Sequence, residues 1–180
     1  MGNERWIMAR LRDFPHGAGF GVTEIGAGDG DLTARMAKAF PSVSVAAYDL
    51  AARPEKLANR VVWHEGDVFT KAAPETGGVL VANLFLHHFE AAALVELGSW
   101  LEGFEVLLFN EPDRARLPHF LGSLLHPFIN RVTKHDLHVS IDAGFASGEI
   151  QELLALDPRH WHVRETSTWR GARRVVASRV

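Results

Sequence analysis

Residues 22–30 read VTEIGAGDG, and residues 31–40 continue as DLTARMAKAF. Two β-branched residues and an acid lead into glycines at 26, 28 and 30. After them come an acid and then apolar residues at helical spacing. The stretch therefore reads as a strand over 21–25, a tight glycine turn, and a helix over 30–40 that Pro41 ends. Such a turn brings backbone N–H groups and a helix N-terminus within reach of a ligand. A dinucleotide fingerprint would need its third glycine at 31, where the chain has Asp31.

Downstream the same unit repeats. Residues 43–48 (VSVAAY) predict a second strand that ends at Asp49, with Leu50 next. A carboxylate at that strand end can accept from both hydroxyls of a ribose, or it can cap the next helix. Residues 53–60 predict a short helix or turn, and 61–64 (VVWH) a third strand. Asp67 and Val68 come after it and suit an exocyclic adenine amine and the face of its ring; an ordinary Gly-Asp turn is the other reading. Residues 79–86 (VLVANLFL) predict strand four, with Asn83 as its one amide, then His87, His88 and a helix over 90–101. Residues 105–109 (EVLLF) predict strand five, followed by Glu111 and Arg114, which read as a structural ion pair or as contacts to an acceptor.

Residues 115–135 have helical spacing broken by Pro118 and Pro127, and 115–146 reads as an insertion covering the substrate. A helix is expected over 147–156, then a β-hairpin from 161–169 and 173–179. At the other end, Trp6, Ile7, Leu11 and Phe14 give an amphipathic helix over 4–14 that packs on the sheet or covers the cleft, so 1–18 is a candidate lid. The expected fold is α/β: a doubly wound, mostly parallel seven-stranded sheet with a C-terminal antiparallel hairpin, as one domain over 1–180.

Composition narrows the function. With 180 residues and 47% hydrophobic content, a full core is within reach. A net charge of −3 gives no general attraction to nucleic acid or anionic lipid, and no basic tract with interleaved aromatics is present. The absence of cysteine excludes disulfides and thiolate chemistry. No secretory h-region or membrane-length apolar run occurs, so a cytoplasmic protein with no membrane insertion is expected.

Glu24 before Gly26, Ala27, Gly28 and Gly30, with Asp49, Asp67 and Asn83 in order, resembles the class I S-adenosylmethionine-dependent methyltransferases. NLFLHHF, NEPDR and TKHDLHVSIDAGF are similar to small bacterial enzymes of the ubiquinone/menaquinone-biosynthesis type. The resemblance implies that Glu24, Gly26, Ala27 and Gly28 hold the methionine part of S-adenosylmethionine. It implies Asp49 with Leu50 at the ribose, Asp67 with Val68 at the adenine, and Asn83 beside the sulfonium. It also implies a small aromatic or polyketide/quinol-like acceptor. The short segment before strand one raises a partner chain, a homodimer, as a way to complete the site.

For an oxygen acceptor the site needs a proton acceptor, and histidine suits that task. His88, after strand four, is the expected base, with His87 as alternative base or substrate contact beside Glu111 and Arg114. His135, next to Asp136, is a second catalytic candidate. The scattered histidines lack metal-site spacing, so no metal is expected. Serines 123, 140 and 147 lie in no nucleophile elbow, which argues against a hydrolase. Two competing functions stand beside the transferase: a non-catalytic module that binds S-adenosylmethionine or a partner, and a nucleotide-dependent oxidoreductase.

Overall fold

The computed structural model describes residues 2–14, 20–72, 78–114 and 144–180. The chain runs α1 (Asn3–Leu11), β1 (Gly21–Ile25), α2 (Asp31–Ala39), β2 (Ser44–Asp49), β3 (Val62–Glu65), β4 (Gly78–Asn83), α3 (Ala91–Trp100), β5 (Val106–Pro112), α4 (Glu149–Leu153), β6 (Trp161–Ser167) and β7 (Ala172–Arg179). The seven strands form one sheet in the order β3-β2-β1-β4-β5-β7-β6. β1 to β5 are mutually parallel, and β7 slots antiparallel between β5 and β6. That is the expected doubly wound sheet with its closing hairpin. The chain order reverses between β1 and β4, which opens a crevice at their carboxyl ends.

Both faces of the sheet are apolar because both are covered. On one face Val22, Val79, Val81, Val106 and Leu108 meet Leu32 and Met36 of α2 and Ile7 and Leu11 of α1. On the other, Leu80, Ala82, Leu107 and Phe109 meet Leu94 and Leu97 of α3, and Ile150 of α4. Ile7 and Leu11 are fully buried, and together that burial stabilises the docking by about 3–6 kcal/mol. α1 therefore takes the sheet-packing alternative; swinging away as a lid would expose both side chains.

Of the two readings for 53–60, a short helix or a turn, the β2–β3 connection takes the turn. Arg53 donates to the carbonyls of Leu57, Ala58 and Val61, and Arg60 to those of Val43, Ala37 and Phe40. Guanidinium bonds thus replace helical ones. β4 stops at Asn83 rather than residue 86, because Leu84 turns to a φ of 57° and residues 86–88 form one turn of 3-10 helix. β5 runs on to Pro112, since β7 pairs with it as far as Glu111↔Arg173 and Pro112↔Ala172. The expected insertion over 115–146 lies mostly outside the described residues.

Candidate functional site

The crevice has two sides. On the β1–β2 side, Gly26 turns with a φ of 68° and Gly28 with 55°, values that side chains other than glycine rarely adopt. Four amides of this turn are engaged within the protein. Gly26 N and Ala27 N donate to Tyr48 O at 2.9 and 3.3 Å. Gly28 N donates to Asp49 Oδ2 at 2.7 Å, and Gly30 N to Ala27 O at 2.9 Å. Asp29 and Asp31 stand at the start of α2, bridged by Lys56. A phosphate would find four of the turn's N–H groups taken and several carboxylates beside it. This geometry disfavours the pyrophosphate of a dinucleotide and accommodates a nucleoside that carries positive charge.

The expected nucleoside ligands lie along the same edge. Asp49 spends one bond per oxygen on the protein, Oδ2 from Gly28 N and Oδ1 from Ala51 N at 2.8 Å. Each oxygen keeps acceptor capacity for a hydroxyl. Leu50 beside it is 76% exposed. Gly66 N donates to Asp49 O at 2.8 Å, which ties the next loop to this one. Asp67 Oδ1 caps Phe69 N at 3.0 Å, so Oδ2 is unused by the described residues. Space over Gly28 is open, with no atom within 4 Å of where a Cβ would stand. Asp49, Asp67 and the glycine turn are thus brought together, and their donor and acceptor sets fit an adenosyl group.

Two expected cofactor contacts face elsewhere. Glu24 is 3% exposed and accepts from the Thr33 hydroxyl of α2, so its carboxyl ties strand to helix and does not line the crevice. Burial, reinforced by Glu4, Asp49 and Asp29, pushes its pKa from 4.5 up to about 8 despite the Thr33 bond. Val68 is buried in the core cluster, and its partly buried neighbour Phe69 is better exposed to a ligand.

The β4–β5 side is built differently. Asn83 Oδ1 accepts from Nδ2 of the buried Asn110 at 3.1 Å, which leaves the Asn83 amide nitrogen for a ligand. Glu111 is fully buried inside β5. Its Oε1 accepts from Phe85 N and Leu86 N, each at 3.0 Å, and its Oε2 contacts His87 Nδ1 at 2.8 Å. The expected Glu111–Arg114 ion pair does not form: Glu111 pairs with His87, and Arg114 reaches Glu149 Oε1 at 3.2 Å. A carboxylate can only accept, so Nδ1 of His87 carries the proton and Nε2 is the basic nitrogen. Nε2 has no hydrogen bond to any described residue. It is also not a sealed atom, since the buried side-chain polar atom without a partner among those residues is Asn3 Oδ1.

His88 is exposed, its ring centroid 4.1 Å from that of His87, and it has no side-chain hydrogen bond to a described residue. Partial burial and the neighbouring His87 lower its pKa, while Glu111 opposes the shift. His135 lies outside the described residues. Among the described residues no group of acids and histidines is placed to hold a metal ion, and no helix is long and apolar enough to cross a membrane. The sequence reading overlooked Phe69, Phe85, Phe89 and Asn110. Phe85 and Phe89 flank the histidines, and an aromatic leaving the end of a crevice strand was the available signal.

Comparison with known proteins agrees with this fold. A family model of the O-methyltransferase domain matches residues 14–100. The plantazolicin methyltransferase BpumL, solved with S-adenosylhomocysteine, superposes with a TM-score of 0.78 at 10% identity, over 98% of this chain and 82% of that one. A magnesium protoporphyrin IX methyltransferase from Synechocystis, also with S-adenosylhomocysteine, gives 0.62 at 15% identity, over 99% and 84%. The pyocyanin biosynthetic protein PhzM gives 0.65 at 19% identity over 95% of this chain. The chain spans about half of PhzM, 53% of its length. Among curated proteins no sequence matches significantly.

Proposed function

We propose that the chain is a class I S-adenosylmethionine-dependent methyltransferase and that it methylates a hydroxyl oxygen of a small aromatic, phenol- or quinol-like acceptor, with His87 as the base. The observation that carries this is the 2.8 Å bond from His87 Nδ1 to the fully buried Glu111. The O-methyltransferase match over residues 14–100 supports oxygen as the accepting atom. Relatives named for plantazolicin, pyocyanin and magnesium protoporphyrin IX support a small-molecule partner.

S-adenosylmethionine, when bound, supplies a methyl group already activated on a sulfonium, which leaves as a neutral thioether. The chain's own work is to hold both partners in line and remove the acceptor's proton. Asp49 accepts from the ribose hydroxyls, Asp67 Oδ2 from the adenine amine, and Asn83 donates its amide beside the methionyl end. His87 Nε2 takes the hydroxyl proton as the oxygen becomes nucleophilic. Nδ1 keeps its proton on Glu111, whose carboxylate stabilises the imidazolium that results. Glu111 acts through His87 and through the amides of Phe85 and Leu86, as a positioning residue. The exposed His88 lacks such an anchor, which moves the base from the expected His88 to its neighbour.

The test is transfer of labelled methyl from S-adenosylmethionine to a panel of phenols and quinols, with products identified by mass spectrometry. Methyl ethers formed by the native chain, and lost in His87→Ala, are the expected result. Products methylated on carbon or nitrogen would remove the oxygen acceptor, and unchanged turnover of His87→Ala would remove the base.

A further inference from the structure

Ile25 of β1 is in register with Ala82 of β4, so Gly26 and Asn83 leave the sheet side by side. Two residues beyond Asn83, the side chain of Phe85 folds back onto Gly26. A Cβ at Gly26 would overlap the Phe85 ring and its β-carbon. Gly26 therefore has two reasons to be glycine: its φ of 68°, and the ring that lies on it. That ring is held in place. Phe89 meets it edge-on at 4.9 Å and 79°, and Phe69 meets Phe89 edge-on at 5.3 Å and 85°. All three rings are partly buried, packed on the core from the crevice side. They form an aromatic wall from the Asp67 loop to the end of β4.

The nearest carboxylates each hold hydrogens of the protein: Glu24 accepts from Thr33, Glu111 from three amides and the His87 ring, and Asp49 from Gly28 and Ala51. At the turn between Gly26 and Asn83, the Phe85 ring is an uncharged feature able to favour a cation over a neutral group, through the negative face of its π-system.

We propose that Phe85 is the residue that distinguishes the sulfonium form of the cofactor from its neutral thioether product. This rests on the methyl-donor reading above. The ring stabilises S-adenosylmethionine by a cation–π contact and gives S-adenosylhomocysteine apolar contact alone. Binding thus favours the charged donor, and loss of the charge on transfer loosens the product.

Calorimetric titration of Phe85→Leu and Phe85→Tyr with each ligand is the test, and it requires no turnover. In Phe85→Leu the affinity for S-adenosylmethionine falls about three- to thirty-fold, while that for S-adenosylhomocysteine stays within about twofold, and Phe85→Tyr restores the preference. Equal losses for both ligands would reduce Phe85 to packing and overturn the proposal. Tighter binding of both would show that the ring obstructs the site and would equally overturn it. If the native chain bound neither ligand, the methyl-donor reading would fall, and this proposal with it. Native binding of both, with no selective loss in Phe85→Leu, would sink this proposal alone.

Discussion

The two sides of the crevice use carboxylates in opposite ways. On the β1–β2 side Asp49 and Asp67 each satisfy a few backbone amides and keep lone pairs over for something outside the protein. On the β4–β5 side Glu111 is fully buried and its bonds all go to the 85–87 segment of the same chain. One side is prepared to bind, the other to hold a single imidazole in one tautomer. A carboxylate that keeps acceptor capacity selects a ligand, whereas one that spends it orients a neighbour.

The sharpest way to break this contrast is to remove the imidazole. His87→Ala should lower kcat/KM about 10²- to 10⁴-fold while S-adenosylmethionine affinity, measured by calorimetry, hardly moves. A parallel loss of affinity would mean that the two sides are one binding unit. Next in size is Glu111→Ala. It strands three amides and the His87 Nδ1–H, and denaturant unfolding should show a loss of about 3–5 kcal/mol. Asp49→Ala belongs to the open side. It should weaken S-adenosylmethionine binding about 10- to 100-fold, the worth of about 1.5–3 kcal/mol for bonds to a charged group, with a smaller change in stability than Glu111→Ala.

Glu24 sharpens the contrast from beneath the open side. Its folded pKa of about 8 exceeds the ordinary 4.5, so between those values the folded chain binds more protons than the unfolded one. Stability from this group is full below pH 4.5 and declines as pH rises to about 8. Unfolding free energy measured over that range should fall with pH, and Glu24→Gln should flatten this component. A slope of equal size in the variant would assign the dependence elsewhere. The smallest effect is expected from His88→Ala, below about threefold in kcat, since an unanchored histidine gains little as a base. A hundredfold loss there would return the base to His88.

Much of the frame was legible because its signals are local. The glycines at 26, 28 and 30 need left-handed backbone, the apolar runs have strand and helix periods, and acids stand after the second and third strands. The acids after β2 and β3 could be read that way, but the direction of Glu24 could not: sequence cannot say which way an acid near a strand end points, and packing against Thr33 decided it. The β4–β5 side was harder to read. His87 and Glu111 are 24 positions apart, and nothing nearby in sequence ranks His87 above His88. The N-terminal helix left two readings open until its buried face met β4 and β5.

By itself the sequence determined the order of strands and helices, the glycine turn, and the acids at the ends of β2 and β3, because backbone sterics and hydrophobic period act within a few residues. The tertiary structure alone decided that four of the turn's amides are spent, that Phe85 lies on Gly26, and that Glu111 holds His87. Each depends on strands brought side by side by the crossovers and on the left-handed turn at Leu84, and burial then sets which polar groups have a partner and which remain for a ligand.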